Sequence, residues 1–283
     1  MPQLFVEQLT VIDSSLLDSR RGLVGESWIV DLELDGELDS QGMLFDFGLV
    51  KKTVKAAIDR RVDHKLLLPM QAPGLRLERN AERVELGFDT EAGERIELAA
   101  PACAVCALET AQVTAAAVEA YLARQLAAEL PANVRTVTLR LRPERIEEPY
   151  YHYSHGLKKH RGQCQRIAHG HRSRLQIERD GRRAPELERE WARRWQDIYI
   201  GSREDVLARE QRGDESYYRF GYRSGEGEFE LLLPARRCYL LDSDSTVEHI
   251  AAHLAAELGR AEPDARFRVR AFEGVGKGAV ATG

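Results

Sequence analysis

The chain has 283 residues, of which 43% are apolar and 31% are charged, and its formal net charge is −5. This length suggests one large domain or two ordinary ones, and the modest negative charge gives no global support for binding nucleic acid. No run of 18 apolar residues predicts a membrane span, and the first fifteen residues lack the regions of a signal peptide. We therefore expect a cytoplasmic protein whose four cysteines are reduced.

The first half begins with an alternating strand over residues 25–36, which ends at an acidic-glycine turn. Asp46 then precedes apolar residues at helical spacing, so we predict that it caps a helix ending before Asp63 and His64. In the second half, the charged segment 185–199 is predicted to form another helix.

Three segments of the first half resemble three of the second half in the same order. The pairs are 25–36 with 170–181, 87–102 with 221–236, and 113–141 with 245–272.

The last pair consists of a helix capped by Thr114 or Thr246, a short loop and a strand. The sequence therefore predicts an α+β fold made of two copies of one unit, with a boundary near residue 148. The predicted domains are 1–148 and 149–283.

Five of the eight histidines lie between positions 152 and 171, and three of them suit a metal ion. His169 and His171 are two residues apart on a predicted strand and so face the same side. His155 can approach them from a neighbouring antiparallel strand. Three imidazoles with one open position are typical of catalytic zinc, so we predict a Zn²⁺ site here.

The alternative interpretation of this segment is a solvated basic loop, because Lys158, Lys159, Arg161 and Arg166 surround it. The first half offers an internal comparison. His169-Gly170-His171 aligns with 24–26, which is Val-Gly-Glu, and His155 aligns near position 14 or 15, which are both serine. The first copy is therefore expected to hold no zinc, and His152 and His160 are expected to be bystanders or surface residues.

These motifs resemble the 6-pyruvoyl-tetrahydropterin synthase family, which includes the bacterial 6-carboxy-tetrahydropterin synthases. The similar motifs are the histidines with Cys164, the Gly-Met-x-x-Asp-Phe run at 42–47, the Asp63-His64 pair, and the Thr246-x-Glu248 helix start. The first half lacks the histidines, and the second lacks the 42–47 run and the Asp-His pair. Together, the two halves contain one complete set of these motifs.

The resemblance implies two tunnelling-fold (T-fold) units, each an antiparallel sheet with helices on one face. It implies that Cys164 is the general base on the pterin side chain, with Asp63 and His64 as a second acid/base unit. It also implies that Glu273 anchors the pterin, as a carboxylate can accept hydrogen bonds from its amino and ring N–H groups. Thr246 and Glu248 are expected to line the pocket, or only to cap their helix.

The implied function is a zinc-dependent lyase that converts 7,8-dihydroneopterin triphosphate to a 6-substituted tetrahydropterin. The 6-carboxy product, which leads to queuosine, is favoured over the 6-pyruvoyl product. The alternatives are a pterin aldolase or epimerase of the same fold, and a non-catalytic pterin- or metal-binding protein. We expect a small-molecule partner and a homo-oligomer, with three tandem chains if six units assemble. Whether the site forms within one chain or between chains stays open.

Cys103 and Cys106 form a Cys-x-x-Cys pair, which is compatible with redox chemistry or a zinc ribbon. No second such pair is present, and the segment is apolar and rich in alanine. We therefore interpret both as structural cysteines.

Overall fold

A computed structural model of the chain describes residues 2–283. The four α-helices of these residues are α1 (Phe47–Arg61), α2 (Ala115–Ala127), α3 (Pro185–Arg194) and α4 (Val247–Ala261). The strands of the first half are β1 (Gln3–Asp18), β2 (Gly22–Gly36), β3 (Leu66–Pro69), β4 (Leu75–Arg79), β5 (Arg83–Asp89), β6 (Arg95–Pro101), β7 (Val105–Leu108) and β8 (Val134–Arg142). Those of the second half are β9 (Tyr150–His155), β10 (His169–Arg179), β11 (Arg182–Arg183), β12 (Ile198–Ser202), β13 (Val206–Arg212), β14 (Glu215–Ser224), β15 (Gly227–Pro234), β16 (Cys238–Leu241), β17 (Phe267–Phe272) and β18 (Gly278–Thr282). No helix in residues 2–283 is long and apolar enough to cross a membrane.

The same succession of elements occurs twice if the short strands β11 and β18 are set aside. The first sheet has the order β7-β3-β1-β2-β8, and the second has the matching order β16-β12-β9-β10-β17 with β18 beyond it. The predicted tandem α+β architecture is therefore confirmed. The sheets are mixed rather than purely antiparallel, because β3 and β12 return parallel to β1 and β9 after a helical crossover.

The helices begin where their capping residues predict. Asp46, Thr114 and Thr246 each accept a hydrogen bond from the backbone N–H three residues later. Apolar side chains of α1 and α2 join the core of the first sheet, and those of α3 and α4 join that of the second. Helix α3 is shorter than predicted. It stops at Arg194, and the chain passes through Asp197 with a φ of 56° before it enters β12.

The hairpins of the two halves build a third sheet in common. Its order is β13-β14-β15-β6-β5-β4, so β15 of the second half pairs with β6 of the first. Leu231 lies opposite Leu98 in this antiparallel pairing, and both are buried. The segments 87–102 and 221–236, recognised as similar in sequence, thus join the halves to each other.

The β1–β2 and β9–β10 hairpins face each other at two glycines. Gly25 lies opposite Ser15 in the first hairpin, and Gly170 lies opposite Ser154 in the second. The two serine hydroxyl oxygens are 2.7 Å apart. A Cβ atom at Gly170 would lie 2.6 Å from the Cα of Gly25, and one at Gly25 would clash with the carbonyl of Tyr153. Only glycine allows this approach of one half to the other.

We therefore predict that Gly25→Ala destabilises the protein by about 1–3 kcal/mol, because a methyl group cannot enter a gap walled by backbone. Urea unfolding followed by circular dichroism measures this effect. Gly259→Ala is the control. It lies within α4, where the new Cβ meets only ordinary contacts, and alanine should stabilise the helix by about 0.5–1 kcal/mol. Equal stability of Gly25→Ala and wild type would contradict the close approach.

Candidate metal centre and active site

Strands β9 and β10 bring three histidines to one point. His155 lies directly opposite His169, and His171 follows two residues later on the same face. The Nε2 atoms of His155 and His171 are 3.1 Å apart, and one nitrogen from each of the three rings lies within 4.8 Å of the others. All three side chains are buried, at most 1% exposed. The predicted trio is thus one compact cluster.

The outer nitrogens of two of these rings face hydrogen-bond acceptors. Nδ1 of His155 is 2.9 Å from the carbonyl oxygen of Ser245, and Nδ1 of His169 is 2.9 Å from that of Arg166. A carbonyl can only accept, so each Nδ1 carries the proton and each Nε2 keeps its lone pair. Within residues 2–283, Nε2 of His169 is buried without a hydrogen-bond partner.

The third ring faces a carboxylate of the other half. Nδ1 of His171 is 3.2 Å from Oδ1 of Asp13. All three Nε2 lone pairs therefore point toward one another. The Nε2 atoms of His155 and His171 are 3.1 Å apart, and two unprotonated nitrogens cannot hydrogen-bond to each other. A cation such as Zn²⁺ is the partner that suits three converging neutral imidazoles.

Burial keeps two of these rings neutral. Burial, together with the neighbouring imidazoles, holds the pKa of His155 and that of His169 well below their ordinary value. Metal binding requires unprotonated nitrogens, so the ligand form is the resting form of these side chains.

Asp63 and His64 approach the histidine cluster from the first half of the same chain. Nδ1 of His64 lies 2.8 Å from Oδ2 of Asp63, and the thiol of Cys164 also lies close to the imidazole. Ligand atoms of His64, Cys164 and His169 lie within 4.8 Å of one another. The Asp-His pair and the three histidines therefore meet within one chain, which the sequence leaves open.

The neighbours of the His64 imidazole favour its protonated form. Burial on its own lowers the pKa of His64, but the hydrogen bonds to Asp63 and Cys164 outweigh burial and raise it to about 10. His64 also has a φ of 53°, which turns its side chain at the end of α1, just before β3.

The remaining predicted residues lie at the rim of the cluster. Oε1 of Glu273 is 3.9 Å from Nε2 of His171, and Nζ of Lys277 is 3.9 Å from the other oxygen of Glu273. Thr246 caps α4 by accepting from the N–H of His249 at 3.3 Å. Glu248 is exposed on the first turn of that helix. Glu273 is thus beside the cluster, whereas the observed role of Thr246 is capping.

The sequence did not predict the residues that contact the Nδ1 atoms of the three histidines. Asp13 is 3% exposed and Ser245 is 1% exposed. The sequence does contain a signal for Asp13, which is a lone carboxylate among apolar residues of a strand. Because a buried charge requires a partner, such a residue predicts a contact with another polar group. The carbonyl groups of Ser245 and Arg166 had none, because backbone acceptors carry no sequence pattern.

The basic run near the cluster is already paired with carboxylates. Lys158 forms ion pairs with Glu204 and Asp205, and Lys159 is 2.8 Å from Asp244. The guanidinium of Arg166 pairs in a bidentate manner with Glu226, at 2.9 and 3.0 Å. These charges are therefore compensated, and exposed Arg161 is the member of the run most available to a triphosphate.

The sheet register identifies the equivalent locus in the first half. Superposing the Ser15–Gly25 pair on the Ser154–Gly170 pair places Leu16 at the position of His155. The alignment of His155 near position 14 or 15 was wrong by one or two residues. Val24 and Glu26 take the positions of His169 and His171, as the sequence predicts.

Contacts between acidic and basic side chains occupy the corresponding place at this second locus. Oε2 of Glu26 is 3.8 Å from Nδ1 of His152, which also hydrogen-bonds to the Gly25 carbonyl at 2.7 Å. His152 lies outside the cluster of three histidines, but it is not a surface residue, because it is 6% exposed and lies between the halves. Arg21 makes two contacts with Asp197, which occupies the position that His64 has in the first half.

Burial shifts both members of the Glu26–His152 pair toward neutrality. Burial raises the pKa of Glu26 to about 7, against the opposing effect of a hydrogen bond from Ser27. Burial, reinforced by the charge of Arg21, lowers the pKa of His152 to about 4. Near neutral pH, this locus therefore holds an uncharged imidazole beside a carboxyl group close to its titration point.

The family model of 6-pyruvoyl tetrahydropterin synthase matches residues 18–147. This match includes the Asp63-His64 pair and ends before the three histidines. No curated protein matches the chain at a significant level.

Solved structures of two organisms are similar to about half of the chain. The 6-pyruvoyltetrahydropterin synthase of Plasmodium vivax is 20% identical, with a TM-score of 0.41, over 52% of this chain and 93% of its own. Its E37A catalytic residue mutant is 20% identical, with a TM-score of 0.41, over 51% and 93%. The Plasmodium falciparum enzyme is 18% identical, with a TM-score of 0.40, over 50% and 90%.

The second locus makes stability depend on pH through Glu26. Its raised pKa means that the folded protein holds a proton between about pH 4.5 and 7 that the unfolded chain has released, so stability falls as pH rises through this window. The free energy of unfolding of Glu26→Gln, measured relative to that of wild type, should be larger at pH 8 than at pH 5 by on the order of 2 kcal/mol. Urea unfolding at both pH values checks this, with the exposed Glu78→Gln as the control. A difference between Glu26→Gln and wild type that does not change with pH would contradict the assignment.

Proposed function

We propose that the two halves of the chain form one zinc-dependent lyase site, a proposal supported by the match of residues 18–147 to the family model of 6-pyruvoyl tetrahydropterin synthase. The substrate of this proposal is 7,8-dihydroneopterin triphosphate, and the product is 6-carboxy-tetrahydropterin. The proposed units are residues 1–148, which provide Asp63 and His64, and residues 149–283, which provide the metal ligands, Cys164 and Glu273.

The observation that carries the proposal is the convergence of two different groups of side chains. Three inward-facing Nε2 atoms meet at His155, His169 and His171. The series Asp63–His64–Cys164 ends beside them, with His169 within 4.8 Å of the last two. A metal site next to a thiol that is linked to an acid/base pair is an arrangement for moving protons, not for holding a fold together.

Zinc bound to these histidines would act as a Lewis acid on a substrate oxygen and ease removal of a proton from the adjacent carbon. Cys164 is half-buried and lies where it can take that proton. His64 lies between Cys164 and Asp63, so it can pass a proton to or from the thiol while Asp63 keeps the ring oriented. The three side chains thus act as one proton-transfer series.

Glu273 suits recognition of the pterin ring. Its carboxylate is partly exposed, lies beside the histidine cluster and can accept from two neighbouring N–H groups of a ligand. We extend the proposal to Thr246 and Glu248 as residues near the pterin, since Ser245 immediately before them contacts His155. The proposed assembly is a homo-oligomer, with three chains supplying six T-fold units.

Metal content and turnover test this function together. Purified protein should contain about one zinc per chain and convert 7,8-dihydroneopterin triphosphate, with 6-carboxy-tetrahydropterin identified by mass spectrometry. Cys164→Ala should keep its zinc and lose about 10²–10⁴-fold in kcat, the usual cost of a lost general base. Cys103→Ala, an exposed thiol of the first half, is the matched control and should keep full turnover.

Other results would contradict a part of this proposal or favour one of the alternative functions. Two zinc ions per chain would contradict the single metal locus. Bound zinc without turnover would favour a pterin- or metal-binding protein, and cleavage or epimerisation of dihydroneopterin itself would favour the aldolase or epimerase. A Cys164→Ala protein with unchanged turnover would remove the proposed base.

A further inference from the structure

We propose that Asp13, a residue of the first half, is a positioning residue that orients the metal ligand His171 of the second half. The inference rests on the proposed metal site. It adds a residue that belongs neither to the three ligands nor to the Asp63–His64–Cys164 series.

The Asp13 carboxylate is buried and points across the boundary between the halves. Its Oδ1 lies 3.2 Å from Nδ1 of His171 and 2.5 Å from the hydroxyl of Ser27, which donates to it. Its Oδ2 lies 3.3 Å from Nζ of Lys277. The position of the carboxylate is therefore fixed by three contacts, two of them from the second half.

The backbone of Asp13 contacts the other part of the site. Its N–H donates to Oδ1 of Asp63 at 2.8 Å, and its carbonyl accepts from the N–H of His64 at 2.9 Å. One residue therefore touches a metal ligand through its side chain and the acid/base pair through its main chain. A single residue therefore links His171 to the Asp63–His64 pair.

A carboxylate next to the Nδ1 atom of a histidine ligand directly affects how that ligand binds the metal. It keeps the proton on Nδ1, turns the Nε2 lone pair toward the ion, and makes the ring a stronger donor. His155 and His169 have neutral carbonyl acceptors in the same place, so His171 is the one ligand whose partner carries a charge. Loss of such a partner commonly weakens metal binding by about 10–100-fold.

The second locus repeats this contact with acid and base exchanged. Glu26 stands at the position of His171, and His152 stands at the position of Asp13, with 3.8 Å between them. A buried acid–base contact across the halves is thus present at both loci. Only His171 belongs to a cluster of three histidines, whereas His152 does not. A variant of the Glu26–His152 contact can therefore serve as the control for a variant of the Asp13–His171 contact.

The test is the dissociation constant of zinc for the full-length chain, measured by competition with a chromophoric chelator. Asp13→Asn keeps the size of the side chain but removes its charge and should weaken zinc binding about 10–100-fold. His152→Gln alters the corresponding contact at the second locus and should leave zinc binding within about twofold of wild type. Far-ultraviolet circular dichroism at the titration temperature shows whether each variant is folded.

If Asp13→Asn does not fold, the zinc-loaded wild type still provides a test by NMR. The Nδ1 proton of His171 should be visible, shifted downfield and slow to exchange, because it is held by a buried carboxylate. Equal zinc affinity of folded Asp13→Asn and wild type would overturn the proposal, as would a rapidly exchanging Nδ1 proton. A wild-type chain that binds no zinc would instead refute the metal site itself.

Discussion

The close approach of two β-hairpins at Gly25 and Gly170 is the constraint on which the rest of the structure depends. No Cβ separates the strands there, so the backbones of the two halves come nearly into contact. Side chains on either side of the glycines can then reach across the boundary. Asp13 reaches His171, and Ser15 reaches Ser154. A wider gap would leave each half with an incomplete set of groups.

The duplication gives two equivalent loci beside these glycines, and the two have diverged in opposite directions. One holds three histidines, with the Asp63–His64 pair and Cys164 next to it. The other is filled by Leu16, Val24 and the Glu26–His152 contact. A buried locus without the three histidines must still satisfy its polar groups, and here acid–base contacts do so while apolar side chains fill the remaining space. The two halves therefore contribute different residues to the proposed site.

The sequence predicted the histidine cluster, because i and i+2 on a strand face one side, and His155 had a partner strand in reach. The tandem architecture was also predictable, since three segment pairs occurred in the same order. The register of β1 with β2 was not, and the position equivalent to His155 proved to be Leu16. Contacts such as those of His152 and Lys158 depend on which elements meet in three dimensions, so local patterns could not predict them.

The central claim is that one chain completes one site from its own two halves. Complementation between two inactive variants tests this most directly. His64→Ala lacks a group of the first half, and Cys164→Ala lacks one of the second. If each site forms within a single chain, the two variants co-expressed and purified as mixed oligomers should stay as inactive as either alone. Recovery of turnover in the mixed oligomers would show that sites form between chains and would contradict the account.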